Sequence, residues 1–143
     1  MRFHYTQRGP ATFRPFAPVL LVGPAGTALV DGLLDTGADR VLIPEPFAAM
    51  VGFDFDALPS ANALITTASK RIPCKTASLI LGLRKSGVQT YWHAQVAITT
   101  TPLSYCYWGI QGFLEFFRAE FDGPNRVVTL AAGGNLPAAP PPP

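Results

Sequence analysis

The 143-residue chain has few charged side chains, with 11 Lys and Arg against 9 Asp and Glu, together 14% of its residues. No basic run is longer than two residues, as in Lys70-Arg71, so the chain lacks the basic patch of a nucleic-acid-binding protein. No apolar run approaches the roughly 20 residues of a membrane span, and residues 1–8 lack the apolar core of a signal peptide. We therefore expect no nucleic-acid or membrane partner and a cytoplasmic location.

Cysteine and histidine are also scarce, with two residues of each. Cys74 and Cys106 form no closely spaced redox or metal-binding motif, so they are predicted to be buried thiols, with a disulfide between them as the alternative. His4 and His93 lie far apart in sequence and belong to no pattern of metal ligands. The sequence therefore predicts no metal site and no cofactor.

Hydrophobic residues, in contrast, make up 48% of the chain, and the length fits one domain with a real core. Short runs of strand-forming residues are separated by turn residues, which predicts a mainly β, barrel-like domain. Short helices are expected over residues 45–50 and 112–117. The predicted strands cover residues 16–22, 27–34, 40–43, 64–67, 76–81, 88–98, 105–108, 118–121 and 126–130.

Three segments follow from this pattern. Residues 1–14 are polar and are predicted to be an N-terminal arm or edge strand, and residues 15–131 form the domain itself. Residues 132–143 are rich in Pro and Ala and are predicted to be a disordered tail, because they cannot bury a core face. The aromatic residues Tyr105, Tyr107, Trp92 and Trp108 are predicted to be core positions rather than a recognition surface.

The most informative stretch is residues 30–44, in which two apolar runs flank Asp35-Thr36-Gly37-Ala38. A carboxylate in apolar surroundings is costly to bury, so Asp35 is either a well-bonded turn residue or a chemical group in use. Asp-Thr-Gly is also a good turn sequence, and the motif alone leaves both interpretations open.

The run Leu33-Leu34-Asp35-Thr36-Gly37-Ala38-Asp39 resembles the active-site loop of single-domain, retropepsin-like aspartic proteases. Further along, Tyr107-Trp108-Gly109 resembles the segment that passes beside and supports this loop in the family, and residues 117–126 resemble the end of bacterial retropepsin-like domains. The resemblance covers residues 16–130. It implies a closed β-barrel of the acid protease fold with one or two short helices.

The same resemblance implies an aspartic endopeptidase. In that class two carboxylates about 3 Å apart share one proton and activate a water for peptide hydrolysis. This chain has one Asp-Thr-Gly and no internal repeat, so the second carboxylate is expected from Asp35 of another copy. The expected active species is a symmetric homodimer acting on a peptide or protein substrate.

The other loop residues have implied roles with simpler alternatives. Thr36 is expected to hydrogen-bond across the two-fold axis, although it also fits an ordinary turn. Gly37 permits a close backbone approach, and Ala38 keeps the wall of the site small. Asp39 matches a family residue that contacts the substrate backbone or an internal Arg, and its alternative is a surface ion pair.

The hairpin predicted around residues 64–81 occupies the place of the family's flap, which implies substrate contacts from Thr66, Thr67, Ala68 and Ser69. Its tip contains no glycine, and Ile110-Gln111 stands where many retropepsins have Arg followed by Asp or Asn. These departures favour, as an alternative, a catalytically weak or inactive dimerisation or peptide-binding module with the same fold. A generic β-barrel binding protein that matches the motif by chance is a third possibility.

Overall fold

A computed structural model describes residues 1–59, 63–67 and 70–142 of the chain. Within these residues the chain forms twelve strands, one α-helix and one 3₁₀ turn, Leu114–Phe116. The remaining elements in chain order are β1 (Arg2–His4), β2 (Thr6–Gln7), β3 (Phe13–Arg14), β4 (Phe16–Gly23), β5 (Gly26–Leu34), β6 (Leu42–Pro44), α1 (Glu45–Ala49), β7 (Ala63–Thr67), β8 (Lys70–Lys85), β9 (Val88–Thr99), β10 (Cys106–Trp108), β11 (Phe117–Asp122) and β12 (Val127–Ala132).

Six strands close into a barrel in the order β4-β5-β10-β6-β9-β8, and β8 pairs back with β4. β7 pairs with the first part of β8 and extends it as a hairpin. Outside the barrel, β1, β12 and β11 form a three-stranded sheet, and β2 pairs with β3. A mainly β chain with a closed barrel and few helical residues confirms the fold class predicted from the sequence.

The hairpins follow from alternation and turn chemistry. Along β5 the buried positions recur at every second residue, so one face of the strand lines the core while the other meets solvent. β8 and β9 are joined by Ser86 and Gly87, which both have positive φ, at 51° and 81°. Two such residues in succession give the twist that a two-residue hairpin turn needs, and glycine at the second position adopts it without strain.

The largest buried side chains form an aromatic core of Trp92, Trp108, Phe113 and Phe117. Their ring centroids lie between 5.1 and 5.7 Å apart in mostly edge-on or stacked pairs. The predicted core positions of Trp92 and Trp108 are confirmed. Tyr105 and Tyr107 differ from the prediction, since both are only half-buried.

The helical predictions hold in part. Glu45–Ala49 is a short helix with Pro46 in its first turn, as predicted, whereas residues 112–117 contain only the 3₁₀ turn. Among the described residues no helix is long and apolar enough to cross a membrane. Cys74 and Cys106 are both buried thiols, as expected.

The C-terminal segment lies along β9. The His93 N–H donates to the Pro137 carbonyl at 3.0 Å, and the Ala139 N–H donates to the Tyr91 carbonyl at 2.9 Å. Because β6 pairs only with the last residues of β9, the earlier backbone groups of β9 have an edge open to another strand. Composition predicts disorder here, whereas in the structure residues 137–139 are paired with that edge.

Candidate active site

Asp35 follows directly on β5, at the start of a loop that leads to β6. Its side chain is half-buried, and the next two residues, Thr36 and Gly37, are exposed. The Asp35 N–H donates to the Trp108 carbonyl at 3.2 Å, and the Asp35 carbonyl accepts from the Ala38 N–H at 3.2 Å. The backbone of Asp35 is therefore held from both sides while its carboxylate reaches the surface.

The Asp35 carboxylate is oriented by its own loop. Its Oδ1 accepts a hydrogen bond from the Gly37 N–H at 2.9 Å. A Cβ atom at residue 37 would lie 3.2 Å from the same oxygen, tighter than most contacts of a real Cβ. Glycine at this position therefore lets the carboxylate fold back onto the loop backbone.

Residues 109–111 are joined to the Asp35 loop by consecutive backbone bonds. The Ile110 N–H donates to the Ala38 carbonyl and the Gln111 N–H to the Asp39 carbonyl, both at 2.9 Å. At Gly109 a Cβ atom would lie 2.4 Å from the Arg40 carbonyl oxygen and 2.6 Å from that of Ala38. Only glycine allows the two backbones to approach this closely.

Trp108 fixes the strand next to the loop. β10 runs parallel to β5 with Trp108 opposite Leu34, and the indole Nε1–H donates to the Ala17 carbonyl at 2.9 Å. A Cβ atom at Gly32 would lie 2.3 Å from the indole, so the ring occupies the space that glycine leaves open. The structure thus brings together Trp108, Gly109 and the Asp35 loop, which lie far apart in sequence.

Asp39 is exposed, and its carbonyl oxygen, rather than its carboxylate, bonds to residue 111. Within the described part of the chain no ion pair joins Asp39 to a basic side chain. Ile110, whose N–H bonds to the Ala38 carbonyl, is 42% exposed. The role of Asp39 stays a prediction.

The predicted flap corresponds to the β7–β8 hairpin. Its backbone register pairs Thr66 with Arg71 and Thr67 with Lys70. The predicted substrate contacts at Ala68 and Ser69 lie outside the described residues. The roles assigned to all four flap residues stay predictions.

The overall fold is similar to that of a solved protease. A retropepsin-like aspartic protease from Rickettsia conorii superimposes with a TM-score of 0.63 over 91% of this chain and 89% of that protein, at 14% sequence identity. The chain has a retropepsin-like fold. The structure of EIAV protease complexed with the inhibitor HBY-793 is similar at a TM-score of 0.49 and 15% identity, over 73% of this chain and 88% of that one. No protein-family model and no curated protein sequence matches the chain.

One neighbour of Asp35 in the retropepsin-like barrel was assigned to the core by sequence reasoning. Tyr107 is half-buried, with its ring centroid 5.2 Å from that of Tyr105. Burial raises the pKa of Tyr107 to about 12, and a hydrogen bond with Tyr105 and the negative charge of Asp35 act in the same direction. Alternation along the short aromatic strand was the only signal in the sequence, and it does not predict that Tyr107 is only half-buried.

Tyr107 also borders a small apolar cluster that is separate from the main core. Its buried members come from three barrel strands, and Leu103 and Tyr107 pack against them from the side. Because Ile72 and Cys74 lie on β8 within the β7–β8 hairpin, this cluster links the hairpin to strands next to the Asp35 loop. The buried members are Leu42, Ile72, Cys74 and Ala97.

Metal ligands are not grouped near this site. In residues 1–59, 63–67 and 70–142, no three His, Cys, Asp or Glu side chains lie together so that they could hold a metal ion. The chemistry available at the loop is that of a surface carboxylate on a fixed backbone.

Proposed function

We propose that the protein is an aspartic endopeptidase that works as a homodimer with one Asp35 carboxylate from each copy. The observation that carries the proposal is the Asp35 loop in its retropepsin-like barrel. The Asp35 carboxylate lies at the surface, while its backbone is bonded to Trp108 and Ala38. A fixed backbone with an accessible carboxylate is what positioned acid–base chemistry requires.

Two Asp35 carboxylates brought together supply both halves of the reaction. Like charges this close cannot both ionise, so the pair shares one proton. The ionised carboxylate accepts a proton from water, whose oxygen attacks the peptide carbonyl, while the protonated carboxylate donates a hydrogen bond to the carbonyl oxygen. The departing nitrogen then receives a proton from the pair, and the C–N bond breaks.

A second copy is the expected source of the other carboxylate, since the chain contains one Asp-Thr-Gly. Thr36 and Gly37 are exposed at the tip of the loop, and Ile110 is exposed beside it. A two-fold axis at the loop would cover these residues and bring each Thr36 hydroxyl to the partner loop. In this arrangement Ala38 leaves the wall of the site small.

The substrate is proposed to be an extended peptide lying between the Asp35 loops and the β7–β8 hairpin. The hairpin would act as the flap, with Thr66, Thr67, Ala68 and Ser69 as its contact residues. Asp39 would contact the peptide backbone, because its side chain is exposed and joins no ion pair among the described residues. Tyr107, Trp108 and Gly109 would support the loop from below.

The Asp35→Asn variant tests this function. We expect a folded dimer whose cleavage of a peptide library falls about 10⁴-fold or more, because an amide cannot take up the proton from water. Wild-type cleavage should be inhibited by pepstatin A. Asp31→Asn is the matched control, since Asp31 is an exposed carboxylate on β5, the strand that precedes Asp35, and lies 3.5 Å from Arg8. Equal cleavage by Asp35→Asn and wild type, with no effect of pepstatin A on either, would contradict the proposal.

A peptide-binding module without turnover is the second candidate. The exposed Ile110 at the position of the family Arg, and Asp39 without an ion pair in the described residues, favour it. This candidate predicts a stable dimer that binds peptides but cleaves none at any pH from about 3 to 7. Peptide binding and cleavage measured on the same preparation separate the two functions.

A further inference from the structure

The C-terminal proline segment, residues 137–141, lies against the open edge of β9. The register places Ala138 opposite Trp92 in an antiparallel bridge. On either side of this bridge the Ala139 N–H and the Pro137 carbonyl bond to β9, at 2.9 and 3.0 Å. Because alternate residues of a strand direct their backbone groups to the same edge, residues 89, 91 and 93 of β9 face the segment.

Prolines limit the pairing on the side that faces β9. Pro137 has no N–H to donate to the His93 carbonyl. The register sets Pro141, which also lacks an N–H, opposite Gln89, and both residues line one cavity of about 390 Å³. The segment therefore donates to β9 through Ala139 alone and is not packed tightly against the start of the strand.

The outer side of the segment offers nothing for a further strand. The Ala138 N–H, which points away from β9, donates to the Leu136 carbonyl at 2.9 Å. The next residue with its backbone on that side is Pro140, which has no N–H. From residue 137 to residue 141 no N–H is left unbonded, so the sheet ends at this segment.

Contacts that precede the segment hold it in place. The Leu136 side chain packs against the main core. The Asn135 Nδ2 donates to the Glu115 carbonyl at 3.1 Å, and the Gly133 N–H donates to the Phe116 carbonyl at 2.7 Å. The proline segment is therefore kept beside β9 by neighbours that take no part in the pairing.

The part of β9 that faces the segment has the composition of a strand that pairs readily. Residues 88–94 read Val-Gln-Thr-Tyr-Trp-His-Ala, with no proline, no glycine and no Asp, Glu, Lys or Arg. Aromatic and β-branched residues favour strands. Two copies of such a strand can pair side by side without repulsion between like charges. In an antiparallel pair with two-fold symmetry, each copy donates and accepts the same bonds.

We propose that the proline segment is an edge cap, which occupies residues 89–93 of β9 and so prevents β9 of a second copy from pairing there. The partner that this edge fits is the same edge of another copy of the chain, in antiparallel orientation. This contact involves other residues than the dimer proposed at the Asp35 loop, and the inference does not depend on the protease function.

Deletion of residues 137–143 tests the cap, because it removes both bonds to β9 and keeps Leu136 on the core. Sedimentation equilibrium at up to about 1 mM protein compares the deletion variant with the full chain. The weight-average mass of the deletion variant should reach about twice that of the full chain, since each copy gains one isologous contact. Equal masses over the whole range would overturn the proposal.

Hydrogen exchange at His93 identifies the edge that associates. In the full chain the His93 N–H donates to the Pro137 carbonyl and should be protected at every protein concentration. In the deletion variant this N–H should exchange fast in dilute solution and about tenfold more slowly as association sets in. Fast exchange at all concentrations would overturn the proposal, because association through another surface would not protect this group.

A variant of full length keeps the test independent of the deletion. Ala139→Pro removes the N–H that bonds to the Tyr91 carbonyl, whereas the matched control Ala139→Ser keeps it. We expect Ala139→Pro to associate more weakly than the deletion variant and Ala139→Ser to behave as the full chain. Thermal unfolding checks that the barrel is intact in each. Equal masses for the two substitutions would contradict the cap.

The same measurements distinguish this edge from the dimer at the Asp35 loop. A full chain that is monomeric, with a deletion variant that dimerises, would support the cap and contradict the loop dimer. A full chain that is dimeric, with a deletion variant of the same mass per assembly, would overturn the cap and leave the loop dimer in place.

Discussion

The Asp35 loop and the aromatic core are ordered by different means, although Trp108 touches both. The loop is held by backbone hydrogen bonds that the Ile110 and Gln111 N–H groups donate and that the Trp108 carbonyl accepts, and several of its side chains are exposed. The aromatic core is held by buried rings, with Trp92 and Phe113 fully enclosed. A loop fixed through its backbone can present reactive side chains without using them to hold the fold.

This contrast implies that the stability of the fold and the chemistry of the site depend on different side chains. Changes to buried rings are expected to lower the free energy of unfolding and to leave the chemistry of the folded molecules intact. Changes to exposed loop side chains are expected to act on assembly or activity and to leave the barrel stable. The exceptions should be the glycines at which two backbone segments are in direct contact, because a substitution there disturbs both the loop and the barrel.

Gly109→Ala is expected to have the largest effect on stability. The new Cβ atom would lie 2.4 Å from the Arg40 carbonyl oxygen, a backbone atom that cannot move aside without breaking the bonds at residues 38–41. We expect urea unfolding to show a loss of about 3 kcal/mol or more. Gly123→Ala is the control, since a Cβ atom there meets nothing within 4 Å, and a similar loss in both variants would break the contrast.

Trp92→Phe probes the aromatic core. It removes a hydrogen bond from the indole Nε1–H to the Gly112 carbonyl, at 2.9 Å, and leaves a cavity beside Phe113 and Phe117. We expect a loss of about 2 kcal/mol in the free energy of unfolding. kcat/KM per folded dimer should stay within twofold of wild type. A large fall in kcat/KM with unchanged stability would show that the core is part of the site.

Thr36→Val probes an exposed side chain of the loop with little change in volume. If its hydroxyl bonds to the partner loop, the dissociation constant of the dimer should rise about tenfold, as measured by sedimentation equilibrium. The stability of each barrel should change little. Thr27→Val, at an exposed threonine on β5, should leave the dissociation constant unchanged. Identical dimerisation of Thr36→Val and wild type would assign Thr36 to an ordinary turn.

The smallest expected effect is a pH dependence at Tyr107. Its pKa is raised from 10.0 to about 12 in the folded chain, so between these values the unfolded chain loses the proton first. Tyr107 therefore makes stability fall as pH rises from about 10 to 12, and its contribution is complete below pH 10. Urea unfolding of Tyr107→Phe should show a shallower fall over this range. Parallel curves for both proteins would contradict the burial of this hydroxyl.

The secondary-structure elements that depend on local sequence patterns could be predicted from the sequence. The Ser86-Gly87 turn and the alternation along β5 specify two hairpins directly, and the Asp35 and Gly109 motifs anticipated that these distant segments meet. A retropepsin-like fold was therefore accessible from the sequence.

The features that sequence reasoning missed depend on tertiary contacts. Arg14 and Tyr105 are 91 residues apart and meet because β10 pairs with β5, the neighbour of β4 in the barrel. Likewise, residues 137–139 have the composition of a tail, yet they pair where β9 has an open edge. Neither residue propensities nor sequence motifs predict which strand edge remains open for pairing.

The distance between the two Asp35 carboxylates in a crystal structure of the dimer tests the central claim most directly. We predict carboxyl oxygens about 3 Å apart with a water between them, the arrangement that allows a shared proton. Two Asp35 side chains turned away from each other, or a dimer that leaves both Asp35 loops on outer surfaces, would contradict it.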